Sequence, residues 1–169
     1  NFFTNIRADQ NSTANVVISG SDWGIDTLRT GGKIQATISD LGNAGVNRSI
    51  NVLSLNGSQI SSDLAATVTL SQTRVGTIIG NSGKNYSITL GSGTGWTRSI
   101  STSQGNDTIN IDTGQDGGVE MIAAGAGDNQ ITLSTGWVGT IQSYRGNDIV
   151  TIVETDGAID IGSGTNTDD

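Results

Sequence analysis

Ser103-Gln-Gly105-Asn-Asp107-Thr-Ile109-Asn-Ile111 returns as Gly125-Ala-Gly127-Asp-Asn129-Gln-Ile131-Thr-Leu133, and again as Tyr144-Arg-Gly146-Asn-Asp148-Ile-Val150-Thr-Ile152. Each copy is a glycine-bearing turn followed by two aliphatic residues with one polar residue between them. The couplet is also present upstream, as Ile50-Asn-Val52, Val68-Thr-Leu70 and Ile88-Thr-Leu90. Its first members, Ile50, Val68, Ile88, Ile109, Ile131 and Val150, recur in nearly equal steps along the chain. A second ladder, Ile60, Ile78, Ile100, Met121, Ile141 and Ile161, runs about half a period out of phase. The tetrapeptide Val-Gly-Thr-Ile occurs at Val75–Ile78 and again at Val138–Ile141. Self-similarity at a fixed period of roughly 20 residues is the mark of a stacked repeat. The expected fold is all-β, a parallel β-roll or β-helix solenoid with about 18–22 residues per turn. Two short strands per turn would stack in rungs ~4.8 Å apart.

Composition agrees with stacking. Only 33% of the residues are hydrophobic and 4% aromatic, thin for a globular core but sufficient where each turn buries its apolar strip against the next. The 25 glycines suit tight turns. Complete absence of proline suits a ladder that needs nearly every backbone N–H. Cysteine and histidine are both absent, which removes disulfides, thiolate metal sites, the commonest zinc ligand and the commonest general base. No apolar run reaches the ~18 residues of a membrane-spanning helix. Asn1-Phe-Phe-Thr4 lacks the basic start of a signal peptide.

The net charge of −8 is unevenly placed: residues 1–100 carry five acids and seven bases, residues 101–169 eleven acids and the single base Arg145. With no basic stripe to neutralise phosphates, a nucleic-acid partner is excluded. Five Asn-x-Ser/Thr sequons, at Asn11, Asn47, Asn56, Asn85 and Asn106, are about the number chance predicts in so polar a chain.

Residues 1–45 read as an irregular N-terminal cap or lead-in rungs, with strands at Val16–Ile18 and Ile34–Ile38, and Phe2 and Phe3 placed to cap one end. Residues 46–169 read as solenoid repeats, expected to continue in a longer parent. Within each strand, as in Thr108-Ile-Asn-Ile-Asp112, alternation points the aliphatics inward. Asp63–Leu70 has a faint helical spacing, but Thr67-Val-Thr69 makes it a better strand.

From about residue 103 the turns resemble the secreted hemolysin-type calcium-binding repeats, the RTX family, whose nonapeptide is G-G-x-G-x-D-x-U-x. The fourth-position glycine is Gly105, Gly127 and Gly146, the sixth position is Asp107, Asn129 and Asp148, and the aliphatic is Ile109, Ile131 and Val150. The resemblance implies calcium between consecutive turns, held by Asp107, Asp128, Asn129 and Asp148 with carbonyls aimed by Gly105, Gly127 and Gly146. Calcium takes six to eight oxygens, with extracellular affinities of about 10⁻⁴–10⁻³ M. The turns depart from the pattern: the first glycine is missing throughout, the second survives only at Gly125, and Asn129 replaces a carboxylate.

Trp96 and Trp137 both follow Thr-Gly, close to two turns apart. Two rungs would separate them by ~10 Å, a flat platform for sugar rings, or else two amphipathic covers over apolar strip ends. Tyr144, Arg145 and Asp148 are the only compact set that could serve acid–base chemistry, and Arg145 reads better as a partner for a neighbouring carboxylate. The chain therefore reads as non-catalytic: a secreted, cell-surface structural segment stabilised by Ca²⁺, associating with copies of itself or flanking repeats. Thr-, Gly- and Asn-rich strand repeats of this kind resemble segments of bacterial surface-layer and giant adhesin proteins. The alternatives are a carbohydrate-binding module using Trp96 and Trp137 on cell-surface glycans, or a viral fibre segment.

Overall fold

The computed structural model describes residues 3–7, 13–18, 24–31, 33–38, 49–56, 64–71, 73–80, 83–153 and 160–163. These form fifteen strands and, among the described residues, no helix. The strands are β1 (Phe3–Arg7), β2 (Thr13–Ile18), β3 (Gly24–Gly31), β4 (Lys33–Ile38), β5 (Ser49–Asn56), β6 (Leu64–Leu70), β7 (Arg74–Gly80) and β8 (Asn85–Leu90). They continue as β9 (Trp96–Thr102), β10 (Thr108–Asp112), β11 (Gly118–Gly125), β12 (Gln130–Thr135), β13 (Trp137–Ser143), β14 (Ile149–Ile152) and β15 (Asp160–Ser163).

Consecutive strands go to opposite sheets. The odd-numbered strands form one eight-stranded sheet in chain order and the even-numbered strands a seven-stranded one, with parallel pairing throughout. The result is a β-solenoid, each turn of chain giving one strand to each sheet. The lead-in strands β1 to β4 join the same two sheets in the same order. Phe3 lies in β1, the outermost strand of the larger sheet, and Phe2 lies outside the described residues.

Registry in the smaller sheet follows the couplets. Val68, Ile88, Ile109, Ile131 and Val150 are partners from strand to strand, as are Leu70, Leu90, Ile111, Leu133 and Ile152. Strict alternation in β8 and β10 buries Tyr86, Ile88, Leu90, Ile109 and Ile111. Tyr86 fits because its neighbours are small: Ala66 is its register partner, and a Cβ on Gly80 would meet its ring at 2.6 Å.

The larger sheet corrects the second ladder. Its column is Leu28, Leu53, Ile78, Ile100, Ile122, Ile141 and Ile161. Ile122 is fully buried, whereas Met121 pairs with Ser99 and Thr140 and is 36% exposed. Ile60 lies outside the described residues, and Leu53 holds that place in the column. Ile50 and Val52 also belong here, in β5, so the first couplet is not a rung of the smaller sheet. The cause is a bend. Inward residues in this sheet are three apart, as in Ile50/Leu53, Val75/Ile78, Thr97/Ile100, Val119/Ile122 and Val138/Ile141. Two consecutive residues between them face outward, so period-two counting slips by one at each strand. Thr97 takes an aliphatic's place in this core, and its hydroxyl is buried without a partner. The turns also vary in length. From Leu28 to Leu53 and from Leu53 to Ile78 the chain takes longer turns than the expected range, and from Ile122 onward the turns fall within it.

Candidate functional site

Along one edge of the solenoid, where the chain passes from the larger sheet to the smaller, four residue pairs stack: Asn85-Tyr86, Asn106-Asp107, Asp128-Asn129 and Asn147-Asp148. Before the last three stands a glycine column. Gly105, Gly127 and Gly146 have φ of 125°, 132° and 133°, which side-chain-bearing residues rarely adopt. A Cβ on each would also strike the carbonyl of the preceding turn, at Lys84, Gly105 and Gly127 respectively. The turn is thus pressed against its neighbour, and only glycine allows it.

That contact brings the pairs into reciprocal hydrogen bonding. The Asn106 N–H donates to Asn85 Oδ1 (2.8 Å) while the Tyr86 N–H donates to Asp107 Oδ1 (2.8 Å). At the next junction Asp128 N–H donates to Asn106 Oδ1 (2.9 Å) and Asp107 N–H to Asn129 Oδ1 (3.0 Å). At the third, Asn147 N–H donates to Asp128 Oδ1 (2.8 Å) and Asn129 N–H to Asp148 Oδ1 (3.0 Å). The outer residue of each pair accepts from the following turn and the inner residue accepts from the preceding one. Each junction is therefore a two-bond clasp with bonds of opposite sense.

The inner column is buried at Tyr86, Asp107 and Asn129 and half-buried at Asp148. Asn129 is 0% and Asp107 1% exposed. The Asn129 Nδ2 donates to Asp148 Oδ1 (2.9 Å) and Gly127 O (3.0 Å). This network fixes which way the amide points, since reversing it would set two donors face to face at Asp107 N–H. Asp107 is less well served. Its Oδ2 is buried with no hydrogen-bond partner, and the nearby Thr102 hydroxyl gives its proton to Ala124 O (2.8 Å). Burial pushes the Asp107 carboxyl up to about 6, against the opposing hydrogen bond from the Tyr86 amide.

The residues of this edge do not fit calcium as they are arranged. A hard cation needs a shell of free oxygens, and here one Oδ1 of each inner side chain and several carbonyls are already engaged. The Oδ1 atoms of Asp107, Asn129 and Asp148 accept backbone N–H groups. The carbonyls of Ala126, Arg145, Asp107 and Asn129 accept from Gly105, Gly127, Gln130 and Ile149. A donor, Asn129 Nδ2, occupies the gap between the Asn129 and Asp148 side chains, where the resemblance would put an ion. Among the described residues no cluster of three or more acidic side chains stands together as a ligand set. Asp107 Oδ2 is the one buried oxygen of the edge left with an unmet demand for a proton or a cation. Of the acid–base set, Tyr144 and Arg145 are exposed while Asp148 is turned to Asn129.

The tryptophans occupy one column. Trp96 and Trp137 are both register partners of Gly118, on strands either side of β11. Over that glycine the rings lean together, with centroids 5.0 Å apart and planes at 57°. They form a tilted aromatic pair, and the flat, widely spaced platform is not what forms. Trp96 remains 47% exposed.

No family model, curated protein or solved structure matches the chain. The likeness to calcium-binding repeats therefore stands on the glycine and Asn/Asp positions alone. The sequence reading missed Asn85, Asn106 and Asn147, which belong to the outer half of the clasp. Their signal was the adjacent Asn/Asp pair itself, recurring once per turn at Asn106, Asp128 and Asn147.

Proposed function

We propose that this chain is a non-catalytic structural segment, an extracellular scaffold of the surface-layer, adhesin or filament kind, whose turns are held by the reciprocal Asn/Asp clasp in place of calcium. The observation that carries the reading is the clasp, repeated at three successive junctions with bonds of 2.8–3.0 Å. A repeated stabilising contact serves a stack of turns, because stability there is a sum of nearest-neighbour terms. The placement outside the cell rests on the likeness of its Thr-, Gly- and Asn-rich strands to surface-layer and adhesin repeats. Its partners are then flanking repeats or copies of itself.

The two accounts of the edge predict opposite signs for one substitution. Asp107→Asn keeps the Oδ1 acceptor and replaces the unmet Oδ2 by a donor, as Asn129 already has. If the clasp holds the edge, melting at pH 7 rises in this variant, and neither protein responds to calcium up to several millimolar. If calcium holds it, wild type melts higher with calcium, EGTA reverses the gain, and Asp107→Asn loses it. That second result would restore the calcium-stabilised reading and remove this one.

A further inference from the structure

Val-Gly-Thr-Ile occurs in two strands of the larger sheet, and the residue before it differs. In β13 that residue is Trp137, and its indole covers the glycine: a Cβ on Gly139 would meet the ring at 2.6 Å. In β7 it is Arg74, and the atoms nearest a hypothetical Cβ on Gly76 belong to the Asn51 backbone, with Gly76 itself lining a surface groove. One notch is plugged and the other is open. The open notch is part of a groove of about 450 Å³ lined by Asn51, Arg74, Gly76, Trp96, Arg98 and Glu120, among others. It lies across β5, β7, β9 and β11, at the bend where two consecutive residues face outward.

The lining is chemically mixed and one-sided in use. Trp96 is 47% exposed, lines the groove and leans on Trp137 in a tilted pair with centroids 5.0 Å apart. Arg74 and Arg98, both exposed, stand on adjacent strands of a chain whose net charge is −8. Two guanidinium groups beside an aromatic face suit a ligand that is at once planar-faced and anionic. A carboxylate, Glu120, shares the groove and accepts hydrogen bonds from hydroxyls, while it repels a bare polyanion. The volume falls within the roughly 300–1,000 Å³ of small-ligand sites.

We propose that this groove binds an acidic saccharide, a uronate ring lying against the exposed indole of Trp96 with its carboxylate held by Arg74 and Arg98 and its hydroxyls toward Glu120. This goes beyond the scaffold reading and does not depend on it. The test is calorimetry on the whole chain at pH 7 with three probes: a galacturonate hexamer, a neutral galactose hexamer and a hexaglutamate peptide. The galacturonate hexamer binds saturably, and at least about tenfold more tightly than either control, a difference of 1.4 kcal/mol. Trp96→Ala loses this binding and Arg98→Gln weakens it about tenfold. Arg74→Trp, which sets an indole over Gly76 as Trp137 is set over Gly139, also abolishes it. All three side chains are exposed, so melting curves stay close to wild type. The proposal is overturned if the galacturonate hexamer fails to saturate at millimolar concentration, or if hexaglutamate or the neutral hexamer binds equally well. Undiminished binding in Trp96→Ala or Arg74→Trp overturns it as well. The three-probe comparison needs no variant, so a misfolded one leaves it decisive.

Discussion

The two edges of the solenoid solve the same turning problem in different ways. Where the chain passes from the larger sheet to the smaller, successive turns carry the same parts: a glycine at positive φ, then an Asn/Asp pair clasped to the next turn. At the opposite edge a positive-φ glycine also recurs, at Gly93, Gly114 and Gly136, but the side-chain hydrogen bonds differ from turn to turn. Thr94 Oγ1 donates to Leu70 O at 3.3 Å, Gly114 N–H donates to Thr135 Oγ1 at 3.0 Å, and Thr135 Oγ1 donates to Asp112 Oδ1 at 2.6 Å. The Thr73 hydroxyl there is buried without a partner. The first edge is periodic and contains a buried carboxylate. The second joins its turns through backbone bonds and threonine hydroxyls. Among the described residues, the repeated side-chain clasp is therefore confined to the first edge, while both edges repeat a positive-φ glycine.

The most damaging way to break the first edge is Asn129→Ala. It strips the acceptor from the buried Asp107 N–H and the Nδ2 donor from Gly127 O and Asp148 Oδ1, of which Asp148 Oδ1 keeps the Asn129 N–H. Leaving such groups unsatisfied costs about 1–3 kcal/mol each, so a loss of roughly 3–5 kcal/mol is expected in urea denaturation. Next comes a pH effect that belongs to this edge alone. The folded-state pKa of Asp107 is raised from 3.8 to about 6, so between those values the folded chain binds a proton that the unfolded chain does not. Its contribution to stability is therefore greatest below 3.8, declines as pH rises, and is lost above about 6. Urea midpoints measured at pH 7, 6 and 5 should show this gain on acidification, and Asp107→Asn should flatten the part due to this residue.

The second edge should answer more weakly. Thr135→Val removes the acceptor of the half-buried Gly114 N–H, for about 0.5–1.5 kcal/mol, with no matching change in the pH profile. The smallest effect is expected at the outer half of the clasp. Asp128→Asn retains the Oδ1 that Asn147 uses, and its exposed site should hold the change within about 0.5 kcal/mol of wild type. A large loss there would mean that the carboxylate charge matters to the edge, contrary to a clasp built on the Oδ1 acceptor.

How far the sequence could be read followed the same division. The smaller sheet was legible from Val68 onward, because Val68, Ile88, Ile109, Ile131 and Val150 alternate cleanly with polar neighbours, while Ile50 was misplaced there. The larger sheet was not, since the bend between Val119 and Ile122 makes two outward residues consecutive and shifts the inward position from Met121 to Ile122. The stacking of Gly105, Gly127 and Gly146 was legible as a column. Whether Asp107 and Asp148 faced a cation or an N–H was not, because that depends on how the turn presents its amides. For the tryptophans, spacing gave the shared column. The lean of the rings over Gly118 is a rotamer outcome that no spacing encodes.

The opposite sense of the two bonds in each clasp acts as a key. A rung displaced by one residue would offer the outer side chain to the inner socket, and both connections would fail together. Asn106-Asp107 and Asp128-Asn129 can therefore meet in only one alignment, like a two-pin plug that cannot be inserted half a pitch off. The apolar columns already reject a one-residue slip, which would turn their aliphatics outward, and this polar edge rejects it a second time at the turn itself.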